Sequence, residues 1–138
     1  ANYLEGILQP ILYSQPLNLK RYFGYLLNNI KFNEEFKCGY VFVPYDEVKK
    51  SGLNGADLRL GINELQFIDE FQFAFTLIEM EDHIKGSFRS KKNVDVSRFA
   101  EELGGGGHKA AASFSIKNIS LEEAEKKVFD AIRKLKNL

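Results

Sequence analysis

The sequence predicts an α/β domain, a mixed β-sheet flanked by helices and preceded by a helical linker. Three observations carry that expectation. Apolar residues recur at helical spacing over the first thirty positions and again over the last twenty. Strand-forming residues alternate on both sides of a charged turn between residues 71 and 90. Pro, Gly, Asp and Ser punctuate the chain between these segments. At 138 residues, 44% hydrophobic and 28% charged, the chain suffices for one domain with its own core. No apolar run approaches the roughly 18 residues that span a bilayer, and the first residues lack the pattern of a signal peptide. A lone Cys38 cannot form an internal disulfide, so the expected location is the reducing cytoplasm. The sole methionine is Met80, from which we expect that Ala1 is not a natural start and that a partner segment precedes it.

Leu4, Ile7, Leu8, Ile11 and Leu12 form the first helical pattern, with Pro10 disturbing its end. After Pro16, a good first-turn residue, Leu19, Tyr22, Phe23, Leu26, Leu27 and Ile30 form a second, and the two read as antiparallel helices. "CGYVFVP" reads as a short buried strand ended by Pro44. Asp46 is placed to begin a short helix that Gly52 stops, and residues 57 to 66 to form another. "FQFAFTLIEMEDHIKGSFRS" is the clearest hairpin, turning at Glu81-Asp82. Phe71, Phe73, Phe75 and Leu77 are expected on one face. On the return strand, period two sets Ile84, Gly86 and Phe88 against His83, Lys85, Ser87 and Arg89. That second row is wholly polar or basic, which a solvated strand face explains as well as a binding face does. Asp95 then caps a helix with apolar face Val96, Phe99, Ala100 and Leu103, stopped by Gly104. The last helix opens on the capping pair Ser120 and Glu123 and buries Leu121, Ala124, Val128, Ile132 and Leu135.

The zero net charge conceals a division. Residues 31 to 82 hold eleven acids against five Lys/Arg, whereas residues 83 to 109 hold six Lys/Arg against three acids and both histidines. A neutral total excludes a long nonspecific duplex binder, which needs a broad basic face, and leaves a short anionic ligand. The basic excess coincides with "GGGGH", residues 104 to 108. One glycine suffices to end the preceding helix, and each further one costs roughly 0.5 to 1 kcal/mol relative to alanine. A linker, a tight turn of positive φ, or a cradle of backbone N–H groups for an anion would each account for the run. In the last case "HKAAA" would begin a short helix whose N-terminus favours negative charge, and Ala110, Ala111 and Ala112 would pack closely against the sheet.

"GSFRSKKNVDVSRFAEELGGGGHKAAASFSI", residues 86 to 116, resembles the signature half of the DHH-associated domain. That is the C-terminal substrate-binding domain of the DHH phosphoesterases, closest here to the branch of oligoribonucleases and 3′-phosphoadenosine-5′-phosphate phosphatases. Over residues 1 to 85 the likeness is weaker, though consistent in order. The resemblance implies that residues 1–30 lead from an N-terminal catalytic DHH domain whose Asp and His residues hold two manganese ions, that residues 31–138 are the DHH-associated domain, and that substrate sits in the cleft between the two. It also implies that Arg89 and His108 hold the phosphate or nucleotide, that Gly105, Gly106 and Gly107 give backbone contacts, and that Ser87 or Asn63 lines the pocket. The Asp-His-His motif is absent from these 138 residues, and "EDH" at 81 to 83 falls in the hairpin turn. No catalytic residue, metal site or cofactor is therefore expected in this chain. Ser113 stands where family members commonly have glycine. His108-Lys109 departs from the Arg-Pro of the alanyl-tRNA synthetase relatives and favours the phosphoesterases.

Three functions follow as expectations. The first is the substrate-binding half of a manganese phosphoesterase acting on short RNA or a nucleoside bisphosphate, with no membrane partner and a homodimer left open. The second is a cyclic-dinucleotide phosphodiesterase of the same superfamily. The third is a noncatalytic nucleic-acid-binding or dimerisation module.

Overall fold

A computed structural model describes residues 14–91 and 93–136, so the expected helix over Leu4 to Leu12 lies outside the described residues. Helix α1 (Leu17–Asn28) follows Pro16 and buries Leu19, Tyr22, Phe23 and Leu26. Leu27, expected on the same face, is 48% exposed because it sits a full step round the helix from Leu26. Strands β1 (Lys31–Asn33) and β2 (Cys38–Val43) form a short hairpin. Three short helices then cross the sheet: α2 (Tyr45–Ser51), α3 (Gly55–Leu60) and α4 (Asn63–Gln66). Strands β3 (Phe73–Glu79) and β4 (His83–Ser90) are the expected central hairpin, and the Met80 N–H donates to the His83 carbonyl across its turn. Helix α5 (Val96–Glu102), strands β5 (Gly106–His108) and β6 (Ala111–Lys117), and helix α6 (Leu121–Lys136) complete the chain.

The six strands run in the order β1-β2-β3-β4-β6-β5. Only β2 and β3 pair in parallel, across the α2-α3-α4 connection. The other neighbours are antiparallel. The sheet is therefore mixed, as the alternation of element types requires.

Each face has its own core. On one, Phe73, Phe75, Leu77, Ile84, Phe88, Ala112 and Phe114 pack against Val96, Phe99 and Ala100 of α5 and Ala124, Val128 and Ile132 of α6. Fully burying one such phenylalanine contributes about 1.5 to 3 kcal/mol, so this face anchors the fold. On the other, Val41, Val43, Ala74 and Ile78 pack under α1 to α4, and the Tyr22 hydroxyl ties α1 to α3 by donating to the Leu58 carbonyl at 2.9 Å. The N-terminal helix is thus packed into the domain rather than standing clear of it.

The caps at Asp95 and Ser120 form where the sequence places them. Asp95 accepts from the Ser97 N–H at 3.1 Å, and Ser120 and Glu123 exchange hydrogen bonds as a capping box. Gly52 and Gly104, with φ of 67° and 85°, follow the ends of α2 and α5 in left-handed conformations.

Four further expectations are corrected. Helix α2 begins at Tyr45 with Pro44 as its cap, and Asp46 sits in its first turn. Residues 57 to 66 form parts of two helices rather than one, because Asn54 caps a helix that ends at Gly61, where the backbone lies against the Leu26 side chain. Phe71 lies outside β3 and joins the opposite core from Phe73 and Phe75, its ring laid over Gly39. "HKAAA" begins no helix: His108 ends β5, Lys109-Ala110 turns, and Ala111-Ala112 open β6. The Ser90 N–H donates to Ala110 and the Val96 N–H to Lys109, so pairing with β4 and the start of α5 overrides the helical preference of alanine.

Thr76 is 1% exposed, and its hydroxyl has no hydrogen-bond partner. Replacing it by the isosteric valine removes a buried polar group without leaving a cavity. Thr76→Val should raise the free energy of unfolding by about 1 kcal/mol in urea titration.

Candidate functional site

The helices on the second face cover only part of it. Beyond them the period-two alternation of β4 continues with His83, Lys85, Ser87 and Arg89, set beside Lys117, Ser115, Ser113 and Ala111 of β6 and, at the edge, Gly106 and His108 of β5. These side chains belong to the face opposite Phe88 and Phe114, because the phenylalanines alternate with them. The result is a polar shelf walled on one side by α3 and α4.

At one end of the shelf, Arg89 pairs with Ala111 and Ala111 with His108, so the three residues form one rung. Small Ala111 leaves the space between the two larger side chains open. Arg89 is held from the side: its Nε donates to Asn63 Oδ1 at 3.3 Å and its Nη1 to the Phe88 carbonyl at 2.9 Å. A guanidinium carries five donor hydrogens, so these two bonds orient the group and leave donors free. Burial lowers the Arg89 pKa from its ordinary value, yet an arginine stays charged, and among the described residues it forms no ion pair. A half-buried, oriented and unneutralised cation is suited to an anion.

The glycine run divides into distinct roles. Gly104 supplies the left-handed turn after α5. A Cβ on Gly105 would press on the Ser113 carbonyl and lie 2.7 Å from the Phe114 Cα, and one on Gly107, at φ 150°, would lie 2.6 Å from the Ala111 carbonyl and from the Ala112 Cα. Both glycines let β5 lie close against β6. Gly106, without a positive φ, also meets nothing: a Cβ there would stand in open space on the shelf, on the rung of Ser113 and Ser87.

Every residue proposed from the sequence therefore falls in this one region. Arg89, His108, Ser87 and Gly106 share the shelf face, Asn63 touches Arg89, and Gly105 and Gly107 serve the strand pairing beneath it. Ser87 is 3% exposed, so it is floor rather than rim.

Residues 37–137 match the family model of the DHHA1 domain. This chain belongs to the DHHA1 domain family. Over 119 residues it is 29% identical to the bifunctional oligoribonuclease and PAP phosphatase NrnA of Bacillus subtilis (strain 168), covering 86% of the chain and 37% of that protein. Over 69 residues it is 32% identical to the protein of the same name from Thermus thermophilus, covering 50% of the chain and 21% of that protein. A crystal structure of an exopolyphosphatase-related protein from Bacteroides fragilis superposes with a TM-score of 0.87 at 26% identity, covering 96% of the chain and 39% of that one. The chain thus spans two fifths or less of each of these relatives.

Two features of this DHHA1 domain escaped the sequence reading. Gln66 Nε2 donates to the Ser90 carbonyl at 3.0 Å, fixing α4 against the end of β4 and so Asn63 against Arg89. Lys91 turns away from the shelf, its Nζ donating to the Ile68 and Asp69 carbonyls at 2.7 and 2.9 Å, so part of the basic excess ties down a loop. Among the described residues, no three His, Cys, Asp or Glu side chains gather as metal ligands would, so these residues do not fit a manganese site. No described helix is long and apolar enough to cross a membrane.

The division of labour among the glycines is measurable. Gly105→Ala should destabilise the fold by about 1 to 3 kcal/mol, because the neighbouring backbone has to move. Gly106→Ala should leave stability within about 0.5 kcal/mol of the parent. Urea titration of the two variants side by side tests this.

Proposed function

We propose that this DHHA1 domain is the substrate-binding part of a phosphoesterase acting on short oligoribonucleotides or 3′-phosphoadenosine-5′-phosphate, and that it grips one substrate phosphate between Arg89 and His108. The observation that supports this reading is the shared rung. Two donor side chains nineteen positions apart in sequence flank the single small residue Ala111, with Arg89 already oriented by Asn63. The activities for which the Bacillus and Thermus relatives are named agree with it.

Each residue then has a physical task. Arg89 offers its unused guanidinium donors to the phosphate oxygens, and the anion relieves the cost of burying an unneutralised charge. His108, exposed at the edge strand, donates one further bond, which is stronger when the ring is protonated. Gly106 leaves room for the substrate to lie over the β5 backbone where a side chain would otherwise stand. Binding and orientation are the whole contribution assigned to this chain. Manganese, with the water activation it supplies, belongs in this reading to a separate DHH domain.

Arg89→Ala should weaken binding of 3′-phosphoadenosine-5′-phosphate about 10-fold to 150-fold, as expected for a charge-assisted hydrogen bond of roughly 1.5 to 3 kcal/mol. His108→Ala, at an exposed position, should cost less. If both hold the same phosphate, the double variant should depart from the sum of the single losses. Isothermal titration calorimetry measures all three. Unchanged dissociation constants in both single variants would remove the proposed grip.

A further inference from the structure

The other end of the shelf holds a second cluster of cations. Between α3 and the start of β4 lies a cavity of about 200 Å³ with Arg59, Lys85, His83 and Ser115 on its polar side and Met80 and Ile78 on its apolar side. Lys85 projects from the same strand face as Arg89, while Arg59 reaches the cavity from the crossover helix.

The charges there are poorly neutralised. Burial first, and the neighbouring Arg59 second, push the Lys85 pKa down from its ordinary value. Among the described residues neither cation forms an ion pair, and the hydrogen bond of the Lys85 Nζ is a long one, 3.5 Å, to the Ser113 hydroxyl. The carboxylate next to the cavity, Asp82, is engaged by His83 Nδ1 at 2.7 Å. Two like charges converging on one cavity without a counterion repel each other, and an anion between them removes the repulsion.

Position decides what kind of anion. Lys85 and Arg89 stand four residues apart on one strand, which sets their Cα atoms roughly 13 Å apart at about 3.3 Å per residue. The Lys85 Nζ leans one rung towards Arg89, to the Ser113 hydroxyl, while Arg89 is held at Asn63, so the two charges stand closer together than their Cα atoms, with Gly106 open beside them. One phosphate cannot fill both ends. A chain of nucleotides supplies phosphates at successive intervals, together with sugar and base surface for the partly buried Met80.

We infer that Arg59 and Lys85 form a second phosphate subsite, so that the shelf holds a short oligonucleotide by two of its phosphates. This rests on the phosphate grip at Arg89 proposed above. It gives the shelf a preference that scales with the number of phosphates.

The test compares adenosine 5′-monophosphate with the 5′-phosphorylated diribonucleotide pApA on the 138-residue chain, by calorimetry at several salt concentrations. The parent should bind pApA at least tenfold more tightly. Arg59→Gln and Lys85→Met should each weaken pApA about five- to twentyfold, shift the monophosphate by less than twofold, and flatten the salt dependence of pApA binding by about 0.7 per lost contact. Lys85→Arg should restore most of the affinity. Arg89→Ala should weaken both ligands, and its failure to do so, with the Arg59 effect intact, would count against the first grip and not against the second subsite. Equal losses for the two ligands in Arg59→Gln, or equal affinities of the parent for both, would overturn the inference. Urea midpoints of each variant separate lost binding from lost folding.

Discussion

The two-residue alternation of the central hairpin is the constraint on which the rest of the structure depends. Phe73, Phe75 and Leu77 on β3 and Ile84 and Phe88 on β4 must leave water, and α5 and α6 cover them. Once they are committed to that face, Lys85, Ser87 and Arg89 have no choice but the other. A slip of one residue would bury two cations under α5 and α6 and expose three phenylalanines, so the packing energy of one side fixes the chemistry of the other. The register carries this order onward through β6 to β5, which is why His108 arrives on the rung of Arg89.

The connection between the parallel strands β2 and β3 does the second half of the work. A parallel pair needs a crossover, and this one is folded into three short helices whose apolar residues Val48, Leu58, Ile62 and Leu65 cover the β2-β3 half of the face. Its polar residues are left at the margin, where Asn63 steadies Arg89 and Arg59 approaches Lys85. The shelf therefore takes cations from both the hairpin strand and the crossover, and the crossover also orients Arg89.

Most of the local structure was legible in the sequence because it is set locally. Asp95 and the Ser120-Glu123 pair are caps readable over four residues, and the hairpin turn at Glu81-Asp82 stands between two alternating runs. The readings that failed were those decided at a distance. Phe71 continues the alternation of Phe73 and Phe75 on paper, but the strand begins after it, and the bare backbone of Gly39 gives its ring a seat on the opposite face. Ala110 to Ala112 have the composition of a helix and are drawn into the sheet by a free edge of β4. For the site, Lys85, Ser87 and Arg89 were visible as a polar row, whereas the nearness of Arg59 was not, since it depends on how the crossover packs. Of the four glycines, the sequence marked Gly104 as a helix stop and suggested a common purpose for the other three, which the structure divides into two close contacts and one open position.

Both outer strands of the sheet, β1 and β5, are only three residues long. A sheet edge exposes unpaired N–H and C=O groups that can template another chain, and the hazard grows with the length and flatness of the edge. Here one border is a stub carrying Lys31, and the other is a glycine strand too brief to register a foreign strand. The domain can therefore keep its polar shelf open beside an edge without inviting the edge-to-edge aggregation to which long border strands are prone.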